Sequence, residues 1–256
     1  MIMTMAVLSA VLFSCVREEM TCDKELIVVQ RIGEGGYVYT RGAVISSNTD
    51  LKEETFGLYG SLTPNASVPQ PYFNASATVN ADLTAAISPL QYWPGLMNAS
   101  MTFFSWYPYS DANAPTASFT DPGEMVLNYT ANASAANHVD VLAAISGPVW
   151  VEGVNIHFYH TLTKVTFTFK KVAPVPDEVT IEGIEFQNVG KSGKLVMAEI
   201  PTATTKNGKP KFVWSDVATG KVASTPTGNK TVTEDATLMG DTCLLYTSPS
   251  PRDGAT

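Results

Sequence analysis

The chain has 256 residues, 45% of them hydrophobic and only 16% charged, against about 25% charged in an average soluble domain. Such a composition is not that of a disordered chain, and the length suffices for one large all-β domain or two smaller ones. A net charge of −8 argues against nucleic acid as a partner, since a row of phosphates calls for a basic surface.

The first residues read as an export signal. Met1 to Ser14 is apolar, with a run from Ala6 to Phe13, and is too short to span a bilayer as a helix. It ends at Leu12-Phe13-Ser14-Cys15, which resembles a bacterial lipobox, in which the Cys is acylated and becomes the first residue. Phe13 is bulky for that position, and no Lys or Arg precedes the apolar run. Glu18 and Glu19 resemble the short acidic tag that sends such lipoproteins to the outer face. The alternative is an ordinary secretory leader with a buried Cys15. On the lipobox reading, residues 1–14 are signal peptide and 15–24 a lipidated tether.

From Glu25 onward the chain reads as strand, turn, strand. Leu26 to Val29 is a compact apolar run, and Gly33-Glu34-Gly35-Gly36 gives a turn. Tyr37 to Ile45 and Phe56 to Tyr59 are the next strands, followed by a Pro-, Ser- and Asn-rich loop over Ser61 to Pro71. Met101 to Trp106 is apolar and aromatic and ends against Pro108; His138 to Ala144 enters the core. Val154 to Tyr159 is a further strand. In Lys164 to Lys170, Val165, Phe167 and Phe169 alternate with polar residues, the period of a half-buried strand. Pro174-Val175-Pro176 reads as a linker. Strands then resume at Val179 to Phe186, Leu195 to Met197 and Phe212 to Trp214. Many short strands with turns between them predict an all-β Greek-key sandwich. The expected division is one β-sandwich over residues 25–172 and the start of a second β domain over 173–242.

The far end reads as foreign sequence. Cys243 to Asp253 matches, residue for residue, one reading frame of a transposase sequencing adapter. The expectation is a truncated gene product whose own sequence stops near Thr242, with residues 243–256 non-native. With Cys243 in the adapter and Cys15 in the lipobox, Cys22 stands alone, so no disulfide framework or CxxC pair remains.

Candidate chemistry is sparse, and the expectation is no enzyme, cofactor or metal. Gly33 to Gly36 lacks the Lys-Ser/Thr of a phosphate loop. His157 and His160 lie three apart, on opposite sides of one extended strand, which spoils chelation. Gly190-Lys191-Ser192-Gly193 is one residue short of a nucleophile elbow. A carboxylate pair assembled by folding stays open. The six Asn-x-Ser/Thr matches are read as a by-product of an Asn-, Ala- and Ser-rich composition.

Several blocks, in order, carry a family resemblance. Tyr39-Thr40-Arg41-Gly42 and Phe56-Gly57-Leu58-Tyr59 come first. Tyr92-Trp93-Pro94 then leads into Phe103-Phe104-Ser105-Trp106-Tyr107-Pro108. Val139 to Ala143 and Phe158 to Val165 follow. Together they are similar to the fimbrillin family, subunits of type V pili on Gram-negative anaerobes. The resemblance implies transthyretin-like β-sandwich domains and a lipoprotein carried to the outer membrane surface. It also implies a trypsin-like cut that removes the first strand, and assembly with other fimbrial subunits by donor-strand exchange. Arg41 matches the cleavage position and the strand to be lost would include Leu26 to Tyr39; a solvated turn residue is the alternative for Arg41. A second functional reading is an adhesin on the same fold, binding host or bacterial surface glycans or proteins, with Trp93, Trp106, Tyr107 and Tyr109 as a stacking platform. Aromatic residues beside Pro also pack cores and corners.

Overall fold

The computed structural model describes residues 25–34, 45, 47–65, 67–119, 123–150, 153–165, 180–198, 212–224, 230–231 and 243–245. Within them the chain is all β, save a 3-10 turn at Ala135–Asn137. The strands are β1 (Val29–Glu34), β2 (Thr55–Pro64), β3 (Gln70–Val79), β4 (Ala85–Ser88), β5 (Ala99–Tyr107), β6 (Thr116–Ser118) and β7 (Glu124–Thr130). They continue as β8 (Leu142–Val149), β9 (Val154–His160), β10 (Thr163–Val165), β11 (Thr180–Ile181) and β12 (Ile184–Ala198). Last come β13 (Val213–Ser224), β14 (Lys230–Thr231) and β15 (Cys243–Leu245).

Seven strands close into a barrel in the order β1-β4-β3-β2-β5-β8-β9, and a four-stranded sheet, β13-β12-β7-β6, packs on its outer side. The result is sandwich-like, and it places β2 and β5 between two apolar layers. Inside the barrel, Phe56, Leu58 and Leu62 of β2 meet Met101 and Phe103 of β5. On the outer side, Tyr59, Phe104 and Trp106 meet Met125 and Leu127 of β7 and Leu195 and Met197 of β12. A strand buried on both faces reads as a continuous apolar run, as Met101 to Trp106 does.

Trp106 fits because β2 has no side chain beneath it. A Cβ at Gly57, which pairs with Trp106, would fall inside the indole. At the far edge of this layer, the Trp214 indole N–H donates to the Thr161 carbonyl at 2.7 Å, tying β13 to the end of β9.

The structure moves several expected boundaries. The stretch Ser61 to Pro71, expected as a loop, is mostly strand: β2 runs to Pro64 and β3 starts at Gln70. Ser61 is fully buried opposite Thr102, so ladder pairing overrides the turn-like composition. Gly33 and Glu34, expected to open a turn, instead belong to β1 along β9, and Gly35 and Gly36 lie outside the described residues. The strand expected from His138 starts only at Leu142; ahead of it His138 meets the Asn132 carbonyl, and Asp140 meets the Ile45 N–H and His160 of β9. Tyr37 to Val44 and residues 166–170 lie outside the described residues. Strands on either side of residue 172 share a sheet, β12 pairing with β7 from Ser192↔Thr130 to Ala198↔Glu124. Cys243–Leu245, read above as adapter, forms an antiparallel ladder with Thr163–Val165.

Gly57→Val should therefore displace Trp106 and destabilise the fold by about 1–3 kcal/mol, the usual cost of overpacking. Thermal melts check it; an unchanged melting temperature would mean that Trp106 has room elsewhere.

Candidate functional site

The feature most open to function is the seam where the barrel closes. β1 is the first described strand, and it alone joins β4 to β9. Its pairing with β9 is parallel, from Val29↔Val154 to Glu34↔Phe158, while β4 meets it at Val29↔Ala85. Flanking bonds extend the hold on the β4 side. Ile27 N–H donates to the Gln91 carbonyl at 2.9 Å, Trp93 N–H to the Glu25 carbonyl at 2.8 Å and Ile32 N–H to the Leu83 carbonyl at 2.8 Å. On the β9 side, Val154 N–H donates to the Val28 carbonyl at 2.9 Å.

Ile27, Val29 and Ile32 point inward and belong to the barrel core, at most 2% exposed. Their spacing is irregular because the register with β9 shifts between Val29 and Arg31. The bulged Gln30 lays its side chain where a Cβ on residue 153 would stand, so Gly153 makes room for it. Burying one such aliphatic side chain is worth roughly 1.5–3 kcal/mol. Three of them together approach the net stability of an entire domain, about 5–15 kcal/mol. Without Ile27 and β1 the barrel would expose three apolar pockets and two sheet edges with unpaired N–H and C=O groups. The seam is therefore filled by an extended, apolar segment that both of its edges and its interior require.

The chain after β1 is fastened again at Ile45. The Asp140 side chain is 1% exposed; its Oδ2 accepts the Ile45 N–H at 3.1 Å and its Oδ1 lies 3.0 Å from His160 Nδ1. A carboxylate can only accept, so His160 Nδ1 carries the proton and donates. Both fixed points lie at the same end of β9: Glu34 pairs with Phe158, and His160 holds Asp140. Nearby, His138 places Nε2 2.9 Å from the Asn132 carbonyl, and burial pushes its imidazole below the ordinary range.

The residues expected to carry function are distributed unevenly. Cys15 and Arg41 lie outside the described residues. The four aromatic residues proposed as a platform do not share an exposed face. Trp93 is buried with its ring edge-on to Phe103, centroids 6.0 Å apart. Trp106 is buried between Phe119 and Gly57. Only Tyr107 and Tyr109 reach a cleft, of about 330 Å³, that Glu53, Glu54 and Asp111 also line. There Tyr107 Oη donates to Glu54 Oε2 at 3.0 Å. Burial, then the negative charges of Glu54, Asp140 and Asp111, push the Tyr107 phenol well above its ordinary value. The acidic side of this cleft escaped sequence reasoning: the Glu53-Glu54 pair is visible, but nothing in the sequence sets it against Tyr107. Among the described residues, no group of three or more His, Cys, Asp or Glu side chains could hold a metal ion. No described helix is long and apolar enough to cross a membrane.

A family model described as fimbrillin-like matches residues 40–251. The chain belongs to the fimbrillin-like family. No curated protein matches it. This fimbrillin-like chain is thus placed among cell-surface fimbrial proteins, structural pilus subunits that associate with other fimbrial subunits. Its matched range begins after β1, which ends at Glu34, and includes residues 243–251.

Replacing Asp140 with Ala leaves the Ile45 N–H without its acceptor and should cost about 1–3 kcal/mol. Urea unfolding of Asp140→Ala measures this; a loss below a few tenths would mean that water substitutes freely.

Proposed function

We propose that this chain is a subunit of a type V pilus, exported as a lipoprotein through Cys15 and assembled by donor-strand exchange. In this reading a trypsin-like protease cuts after Arg41 at the cell surface of a Gram-negative bacterium. β1 then leaves with the lipidated tether, and an extended strand from another subunit fills the groove between β4 and β9. The observation that carries the reading is the position of β1. It is the first described strand, it closes the barrel alone, and Arg41 follows its end by seven positions. An incoming strand restores both backbone ladders and apolar pockets, so assembly draws on the same burial that stabilises the barrel. The transthyretin-like topology and the outer-membrane address rest on the resemblance described above.

The test is limited digestion of the folded chain with an Arg-specific protease, followed by N-terminal sequencing and addition of a labelled Glu25–Glu34 peptide. A new terminus at Gly42, loss of β1 and uptake of the peptide are expected. An intact Arg41, or a nicked chain that takes up no strand, would sink the proposal.

The cleft at Tyr107 and Tyr109 favours a second reading, a surface adhesin that holds a sugar against a tyrosine face with carboxylates as hydrogen-bond acceptors. Tyr109 is 39% exposed, so Tyr109→Ala should leave the fold intact. Glycan-array binding that this substitution abolishes supports the adhesin; an array without hits, or hits that survive it, removes the reading.

A further inference from the structure

We infer that the pole of the barrel at which the chain enters is a lipid-facing surface that rests on an uncharged bilayer interface. The ladder directions define this pole. β1 and β9 start there, β2 and β8 end there, and the β2–β3, β4–β5 and β8–β9 connections all turn there. The side chains at these turns are apolar and exposed. Trp150 of the β8–β9 turn is 60% exposed and Met97 of the β4–β5 connection 85%. Leu90 and Leu96 of the same connection and Val68 of the β2–β3 turn are also more than half exposed. Tyr72 and Tyr92 join them, linked by a 2.9 Å hydrogen bond from the Tyr72 hydroxyl to the Tyr92 carbonyl. Among the described residues, every exposed large apolar side chain except Tyr109 and Val217 lies at this pole or on the first turns of the strands that start there.

Isolated exposed apolar residues need no explanation, but their concentration on one end of a barrel does. Charge is nearly absent as well: among the described residues of these connections and of the entering segment, Glu25 is the one ionisable side chain. In sequence, Lys24 and Glu152 are the nearest further charges, one of each sign. Trp and Tyr with Leu and Met, and no cationic patch, suit the zwitterionic interface of a bilayer, where amphipathic rings settle at headgroup depth.

The occupant follows from where the chain comes from. Trp93 N–H donates to the Glu25 carbonyl, so everything N-terminal to Glu25 departs from this pole. Cys15 lies ten residues earlier, a tether of at most about 36 Å. With Cys15 acylated, as the proposed function has it, this pole is held within that reach of the membrane. The inference rests on that reading for its geometry, but the apolar pole has its own affinity for lipid.

The test uses the full chain with Cys15→Ser, so that no acyl chain contributes, and vesicles of phosphatidylcholine with and without brominated chains. A triple variant, Leu96→Ser, Met97→Ser and Trp150→Ser, is compared with it; the apolar leader is common to both. Expected are co-sedimentation with vesicles that 0.5 M salt leaves in place (roughly three- to four-fold above physiological ionic strength), and quenching by bromine of emission that Trp150→Phe removes. The triple variant should bind about tenfold more weakly or less, with an unchanged thermal melt. Equal binding of the two chains, or no quenching of Trp150, overturns the inference. Concentration-dependent self-association that the triple variant abolishes, without vesicle binding, also overturns it and assigns the pole to a second copy. Mass spectrometry of Cys15 from cells reports acylation separately, so its absence removes the anchor without deciding the pole's own affinity.

Discussion

Closure of the barrel by β1 is the constraint on which the rest of the molecule depends. A curved sheet of six strands, β4-β3-β2-β5-β8-β9, has two free edges and an open apolar interior. One parallel strand, with Ile27 just ahead of it, satisfies both edges and brings three inward aliphatic side chains to that interior. The parallel sense follows from chain order: β1 and β9 both start at the entry pole, and no hairpin links them. Among the described residues the partners of β1 lie more than fifty residues away in sequence, so its pairing there is entirely non-local. A covalently attached but sequence-remote strand is what a cut between β1 and β2 would turn into an exchangeable one.

The second layer depends on the first. β2 and β5 are buried on both faces, so the outer sheet can pack only where the barrel wall is already complete. Trp106 crosses that wall over Gly57, and Tyr59 stacks on Phe119 with centroids 4.1 Å apart. These contacts fix β7 and β12 against β2 and β5 and leave the entry pole bare. The same architecture thus sets a closed seam along one side and an apolar surface at one end, in positions that do not compete. Asp140 and His160 sit at the opposite end of β9 from that surface, where the chain rejoins the fold at Ile45.

Much of the strand content was legible because strand signals are local. The strands expected at Val154 to Tyr159 and over the apolar run Met101 to Trp106 each matched an observed strand. Errors arose where composition and pairing disagree. Ser61 and Pro64 look like loop residues, yet they sit in a strand because β5 offers a continuous partner. Gly33 looks like a turn residue, yet β9 supplies its ladder. The aromatic block was found, but its burial was not: Trp93 and Trp106 face two different apolar layers, and Tyr107 and Tyr109 a cleft.

The sequence by itself determined the all-β class, the acidic and sparsely charged surface and the order of blocks by which the fimbrillin-like family is known. Each of these is a property of short stretches or of composition. Only the tertiary structure decided which strand closes the barrel, which indoles are covered and which turns share a pole. Those are facts of pairing between distant residues, Val29 with Val154 or Gly57 with Trp106. Period-two alternation tells a strand which face is apolar but never which neighbour will cover it.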